Sequence, residues 1–284
     1  MPFLDCHCHT ERSDCSEDVS LERYAELAPV CGFSFAITDH SAHLFYPPDN
    51  KWAFWTDAAE ALFEEHYQAG LARCARYVTD VRAVQTGGML LGVELDVLPD
   101  GRMVFDPDLL DGLDLVLGAV HGIRALRQDR PLEEVVDEFK SRTLRLCELR
   151  VDALAHPFRE WKSAKRAVPP GLMEWTVEAA RDAGMALELN CHYQVPECDR
   201  PMIRLCAELG VPIAIGTDSH RSHEFGDFSY HRRLLAEEGL GDGEGLAMSV
   251  EACRREKGRN LFPSVVHSPE TSPNGACLCK RTPL

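Results

Sequence analysis

Positive charge is scarce in this chain: 30 Lys and Arg stand against 46 Asp and Glu, a formal net charge of −16. Sequence-independent affinity for a phosphate backbone comes from clustered Lys and Arg, so the balance argues against nucleic acid as a partner, leaving open only a local basic mouth. The sequence also lacks any apolar run of roughly 18 residues and the basic-then-apolar pattern of a secretory leader, so the expectation is a cytoplasmic protein with no membrane partner. Missing too is a paired CxxC zinc motif. The 12 cysteines are scattered through apolar segments such as 28–32 and 205–207, and read as reduced core residues rather than a disulfide framework. No internal repeat is visible.

What remains is a chain of 284 residues with 45% hydrophobic content, enough for one large core, since α/β barrels of about 250 residues are commonly single domains. Short β-rich runs near 2–9, 33–39, 90–97, 113–120, 151–155, 185–190 and 212–217 predict seven strands. Amphipathic stretches over 20–30, 57–84, 132–149, 171–183, 200–209 and 230–238 predict helices between them. Gly32, Gly184 and Gly210 follow helical patterns and precede strands, as helix stops do. The alternation predicts an α/β fold, a βα repeat closed around a parallel sheet, over residues 1–263. Residues 264–284 have a disorder-like composition and predict a tail, in which Cys277 and Cys279 have no partners for a metal role.

The most informative residues are Asp5-Cys6-His7-Cys8-His9-Thr10. Alternate side chains of a strand share a face, so His7 and His9 can grip one metal while Cys6 and Cys8 point away. Other strand-like runs also end in His or a carboxylate: His40, Glu94, His121, His156, and Asp218 with His220. In a parallel barrel those ends converge on one face, where active sites sit. A single histidine in an apolar strand is usually a hydrogen-bonded structural residue; six endings of this kind together predict a polynuclear metal site.

The ordered set 5–14, Thr38-Asp39-His40-Ser41, Gly92-Val93-Glu94, Val120-His121-Gly122, Ala155-His156-Pro157, Glu188-Leu189-Asn190 and Gly216-Thr217-Asp218-Ser219-His220 resembles the PHP superfamily of polymerase and histidinol phosphatase domains, over residues 2–225. The resemblance implies a distorted seven-stranded (β/α)7 TIM-like barrel with the metal site at the C-terminal ends of its strands, holding two or three divalent ions. It further implies His7, His9, Glu94 and Asp218 on one ion, Glu94, His121 and His156 on a second, and Asp14, His40 and His220 on the third. Ser13-Asp14 could equally cap a helix or make a turn.

These donors are imidazoles and carboxylates, which suit Zn, Mn or Fe without selecting among them. Glu94 has two oxygens and can bridge. Two ions about 4 Å apart would ionise a shared water near neutral pH for attack on phosphorus, so hydrolysis of a phosphate ester is the natural reaction, with Glu94 and Asp218 at its centre. Arg159, just past His156, is a candidate phosphate contact or a surface ion pair with Glu160. Arg221 and His223 follow the last ligands, the first as a substrate contact and the second as a proton donor to the leaving group, or both as solvated loop residues. Lys162, Lys165 and Arg166 form a basic run that usually means a solvated face. Asp5 and Asp39 are expected to orient imidazoles or satisfy backbone groups. His43, His66 and His231 lack ligand spacing. The aromatic segment 44–55 is expected to rise over the site as a partial lid.

The expected function is hydrolysis of a small phosphorylated metabolite, with histidinol phosphate as the leading substrate implied by the resemblance. Three alternatives stand beside it: a nuclease or phosphodiesterase, which a basic groove would mark; a metallo-amidohydrolase, which also begins with HxH but commonly bridges its metals with a modified Lys; and a non-catalytic metal-binding regulatory module.

Overall fold

The computed structural model describes residues 3–13, 15–241, 243 and 245–249. Asp14 and the expected tail 264–284 lie outside them. Seven parallel strands, β1 (Leu4–Cys8), β2 (Ser34–Ile37), β3 (Met89–Asp96), β4 (Leu115–Ala119), β5 (Ala153–Leu154), β6 (Ala186–Asn190) and β7 (Ile213–Gly216), close into a barrel in sequence order. The ring is completed by pairing of Asp5 on β1 with Ile215 on β7. Around it run α1 (Leu21–Leu27), α2 (Ser41–Phe45), α3 (Ala59–Val84), α4 (Arg124–Arg127), α5 (Leu132–Glu148), α6 (Arg159–Ser163), α7 (Leu172–Ala183), α8 (Pro196–Leu209) and α9 (Ser229–Glu237). None of the described helices is long and apolar enough to cross a membrane.

All seven strands fall on the expected runs. Helix ends follow local chemistry: the Ser20 side chain caps α1 by accepting from the Arg23 amide, and Pro196 opens α8 where its missing N–H costs nothing. Gly184 closes α7 with a left-handed φ of 68° that a side chain would resist. The expectation missed α2, α4 and α6, each only four or five residues long, too short to show a period.

Two packed layers form. One cluster fills the barrel with small or slender side chains, among them Cys6, Ala36, Leu90, Leu117, Ala155, Ala186 and Ala214; a second, larger one lies between strands and helices. The inner set corrects one expectation, since Cys6 packs inside the barrel although it alternates with His7. The cause is a shift of register between Asp5 and Cys8 where β1 pairs with β2. Such irregularities re-aim side chains next to active sites. A second break occurs after β5, where His156 takes a left-handed φ of 25° immediately beyond Ala155. Both departures from simple alternation therefore deliver histidines to the mouth.

His231 on α9 ties the barrel from outside. Its Nε2 donates to the carbonyls of Leu189 (2.9 Å) and Gly216 (3.1 Å), bridging β6 and β7. Burial lowers its pKa to about 4, so it is neutral in the folded protein. The folded value lies below that of an unfolded histidine, so the contribution to stability is complete above pH ~6.5 and is lost as the pH falls from there to about 4. Over that interval the loss is about 3 kcal/mol at 1.4 kcal/mol per unit. His231→Gln, which keeps a donor, is expected to be less stable at pH 7.5 and to lose less stability than the parent between pH 6.5 and 4. Urea unfolding at several pH values measures this, and an identical pH slope in both proteins would refute it.

Candidate metal centre

At the C-terminal mouth of the barrel, Glu94 is fully buried at the end of β3 and surrounded by histidines. Its two oxygens face different sets. Oε2 lies 3.4 Å from His7 Nε2 and 3.7 Å from His9 Nε2, which are in turn 3.7 and 3.0 Å from Asp218 Oδ1. Oε1 lies 3.2 Å from His121 Nε2 and 2.9 Å from His156 Nε2, with those two nitrogens 3.4 Å apart. Donors around a tetrahedral ion with bonds of about 2.0 Å are separated by roughly 3.3 Å, so both sets have the spacing of a coordination shell.

His40 Nδ1 is 2.5 Å from Glu94 Oε2, and its ring stacks on His9 with centroids 4.4 Å apart. His40 and His220 also share a cluster with His9 and Cys15, in which one donor atom from each residue lies within 4.8 Å of the others. The structure thus brings together eight of the nine residues in the expected ligand set, the ninth being Asp14.

The chemistry of these atoms tests whether a cation fits. His7 Nε2, His9 Nε2, His40 Nδ1, Glu94 Oε2 and Asp218 Oδ1 are all buried without a hydrogen-bond partner. An unpaired buried polar atom costs roughly 1–3 kcal/mol, and five converging on one point are explained by bound ions that satisfy them. Divalent metal fits the residues present.

Other groups hold the imidazoles in place. Glu188 Oε1 binds His7 Nδ1 at 2.7 Å, Asp96 binds His121 Nδ1 at 2.8 Å, Ser13 Oγ binds His9 Nδ1 at 3.1 Å, and the Asp218 carbonyl binds His220 Nδ1 at 2.7 Å. Each contact commits one ring nitrogen and turns the other toward the centre. Asp39 accepts from the Thr10 amide and hydroxyl and from Ser13 Oγ, thereby fixing the loop that follows His9. Asp5 accepts from the Thr217 amide and hydroxyl. Neither Asp5 nor Asp39 touches an imidazole nitrogen in these bonds; both secure backbone and hydroxyl groups.

Burial is the largest influence on the charges, and its direction depends on the group. It would raise the Glu94 carboxyl, but His40, His121 and His7 around it hold the pKa well below the usual range. Asp218 is held down in the same way, against burial, by His7 and His220. Burial and neighbouring His220 lower His9 to about 4, leaving its lone pair free for a cation. His121 is raised to about 9 because Glu94 and Asp96 outweigh its burial. Burial, followed by the nearby carboxylates Asp39, Asp218 and Glu94, pushes the Cys15 thiol up.

Three residues were expected at the rim. Arg159, at the start of α6, lies over the Tyr193 ring with its guanidinium carbon 4.8 Å from the ring centroid. Its Nε and Nη1 are buried with no hydrogen-bond partner, and Glu160 stands 3.9 Å from Nη1. Tyr193 in turn meets the His156 ring edge-on, with centroids 5.4 Å apart. Arg221 instead pairs with Glu17 at 2.5 Å on the surface, the ordinary ion-pair reading. His223 is exposed and belongs to none of the candidate ligand clusters.

The aromatic segment divides. Phe45, Tyr46 and Phe54 are buried in the core, while Trp55 approaches His121 and His40 with ring centroids 5.9 and 6.1 Å away. Trp52, half exposed, packs on Trp55 and on His43. His43 also binds the Ser13 carbonyl, which gives it a structural task in the same loop. Lys162 donates to the carbonyls of Tyr193 and Gln194 and holds the loop carrying Tyr193.

Asp96, Glu188, Ser13, Cys15 and Tyr193 carry parts of this site without having been assigned roles from the sequence. Asp96 had a signal, being two residues past Glu94 and hence on the same face of β3. Glu188 had one as well, on β6 in the quoted Glu188-Leu189-Asn190 segment. Gly216 shows how closely Glu188 is enclosed, since a Cβ there would stand 1.9 Å from Glu188 Oε1.

No family model matches the chain. It is 32% identical over 245 residues to a probable phosphatase of Acetivibrio thermocellus, covering 82% of this chain and 86% of that one. It is 29% identical over 218 residues to the DNA polymerase/3'-5' exonuclease PolX of Bacillus subtilis, covering 76% of this chain and 34% of that protein, so it spans about a third of the polymerase. The fold is similar to that of a histidinol phosphate phosphatase from Lactococcus lactis subsp. lactis, solved with zinc, L-histidinol and phosphate. That likeness has a TM-score of 0.51 at 16% identity and covers 84% of this chain and 94% of that one. With the seven-stranded barrel, the clusters of candidate ligands and a relative 32% identical over most of both chains in agreement, the chain belongs to the PHP superfamily, as a hydrolase of its metal-dependent phosphatase type.

Proposed function

We propose that the chain hydrolyses a small phosphate monoester at this centre, with histidinol phosphate as the leading candidate, using two or three Zn, Mn or Fe ions. The observation that carries the reading is Arg159: a partly buried side chain whose Nε and Nη1 are enclosed without a hydrogen-bond partner, stacked on Tyr193, which in turn meets His156. It lines one small cleft together with His156, Glu188, Asn190 and Tyr193, on the side of the proposed ligand His156. A planar fork in that position suits a single phosphate.

Bound divalent ions supply Lewis acidity and an acidified water. The remaining work falls to the chain. Glu94 spans the two donor sets through its separate oxygens, and Asp218 turns Oδ1 to the first set while Asn190 Nδ2 holds Oδ2 at 3.0 Å. Trp52 and Trp55, with rings tilted 50° to each other, offer an apolar surface for the leaving alcohol, which suits the imidazole of histidinol and supports that candidate. His192, at the rim and 3.2 Å from Glu224, has its ring centroid 4.8 Å from that of His220 and joins His223 as a candidate to protonate the departing oxygen.

A nuclease reading draws support from the polymerase relative. Against it, rim cations are already committed, Arg221 to Glu17, Arg12 to Glu11 and Asp80, and Arg124 to Glu60. Arg159→Ala tests the monoesterase reading. Loss of a charge-assisted hydrogen bond worth about 1.5–3 kcal/mol should raise KM for histidinol phosphate and aryl phosphates roughly 10- to 100-fold, with metal content unchanged. An unchanged KM would remove Arg159 from substrate binding. His192→Ala should lower kcat most for esters with poor leaving groups, and an equal effect on all esters would refute proton donation.

A further inference from the structure

We infer that Cys15 is a thiolate ligand of the third metal position, making that position a mixed sulfur and imidazole site; the inference rests on the metal-dependent reading above. Cys15 offers Sγ within 4.8 Å of a ring nitrogen from each of His9, His40 and His220, which also lie within that distance of one another. Among the described residues, no other cysteine belongs to a candidate ligand cluster.

The cluster is built rather than incidental. His9 is fully buried, its Nδ1 is committed to Ser13, and its Nε2 has no hydrogen-bond partner. His40 Nδ1 is likewise buried and without one. The loop that brings Cys15 here is fixed two residues earlier. Ser13 Oγ donates to Asp39 at 2.5 Å and accepts from the His40 amide at 2.9 Å, and the Ser13 carbonyl is bound by His43.

Sulfur at this distance has a direct use. A tetrahedral zinc with N bonds of about 2.0 Å and an S bond of about 2.3 Å has donors roughly 3.3–3.5 Å apart, so Cys15 Sγ and the His40 and His220 nitrogens, which lie within 4.8 Å of one another, need to draw in by at most about 1.5 Å, while His9 Nε2 stays with the first set. Thiolate is a soft donor that favours zinc or iron over manganese, whereas the Glu94 sets, with hard carboxylate oxygens, accept any of the three. The third position would then be the metal-selective one.

The test uses the full-length chain, stripped of metal and reloaded with Co(II) or Zn(II), as parent, Cys15→Ser and Asp14→Asn. The parent loaded with cobalt should show a thiolate-to-cobalt charge-transfer band, and the zinc form should show a sulfur neighbour at about 2.3 Å by X-ray absorption. Cys15→Ser should lose both signals, hold about one ion fewer per chain and bind that ion at least about tenfold more weakly, while Asp14→Asn keeps the band. The inference is overturned if the parent takes up cobalt with no sulfur signal, or if the band survives in Cys15→Ser. Failure of the parent to bind cobalt at all would overturn the metal-dependent reading itself, a separate result. The parent spectrum alone decides the matter should the serine variant not fold.

Discussion

Glu94→Gln should fold, lose metal from both sets it joins, and hydrolyse phosphate esters on the order of 10³-fold more slowly. The substitution keeps the size of the side chain and removes a negative charge between two groups of imidazoles. Oε1 is within 3.2 Å of His121 and His156, and Oε2 within 3.7 Å of His7, His9 and His40, so this one carboxylate meets five imidazoles of the centre. A glutamine amide would keep one acceptor and turn two donors toward histidine nitrogens that must themselves donate electron pairs. Metal content and turnover should therefore fall together. Elemental analysis with a phosphate-release assay reads both, and retention of either at the parent level would show that Glu94 does not bridge.

Removing Glu188 should produce the next largest loss, although it is not among the proposed ligands. Its Oε1 holds His7 Nδ1, and its Oε2 accepts from the His156 amide at 2.6 Å and from Asn190 Nδ2 at 3.2 Å. One carboxylate thus positions a proposed ligand from each set, and it secures the backbone where His156 adopts a left-handed φ. Partners of this kind are worth 10- to 100-fold in metal affinity, so with two histidines affected, Glu188→Ala should weaken binding by about 100-fold or more. The orphaned His156 amide adds about 1–3 kcal/mol of lost stability. Glu188→Gln, which keeps an acceptor, should recover part of both. Equal metal affinity in the parent and Glu188→Ala, measured by competition with a chelator, would contradict this role.

Much of the architecture could be read from the chain because the two periods involved are strong and separate. Seven short apolar runs alternate with amphipathic stretches, and six of them end at a residue of the expected ligand set. What escaped was local. Strict alternation on β1 places Cys6 outside the barrel, but the register shift returns it to the interior, and nothing in Asp5-Cys6-His7-Cys8-His9 marks that shift. Arg159 and Arg221 look alike in sequence, each just past a proposed ligand; only three-dimensional placement separates a partly buried guanidinium on Tyr193 from a surface pair with Glu17. Tyr193 and Glu188 act through contacts with residues distant in sequence, which spacing does not reveal. The aromatic segment could not be divided in advance either, because Phe45 ends α2 and turns into the core, whereas Trp55 ends the separate helical segment Pro48–Trp55 and turns toward His121 and His40.

The central claim is that this barrel is a metal-dependent phosphomonoesterase, and substrate choice by the reloaded enzyme tests it most directly. The metal-stripped chain, reconstituted separately with Zn, Mn and Fe, would be offered histidinol phosphate, aryl phosphates, a phosphodiester and a short oligonucleotide across a range of salt concentrations. The account predicts metal-restored release of phosphate from monoesters, with weak dependence on salt because one guanidinium rather than a basic track meets the substrate. Efficient, steeply salt-dependent cleavage of the oligonucleotide with negligible monoester turnover would contradict it and establish a nuclease in its place.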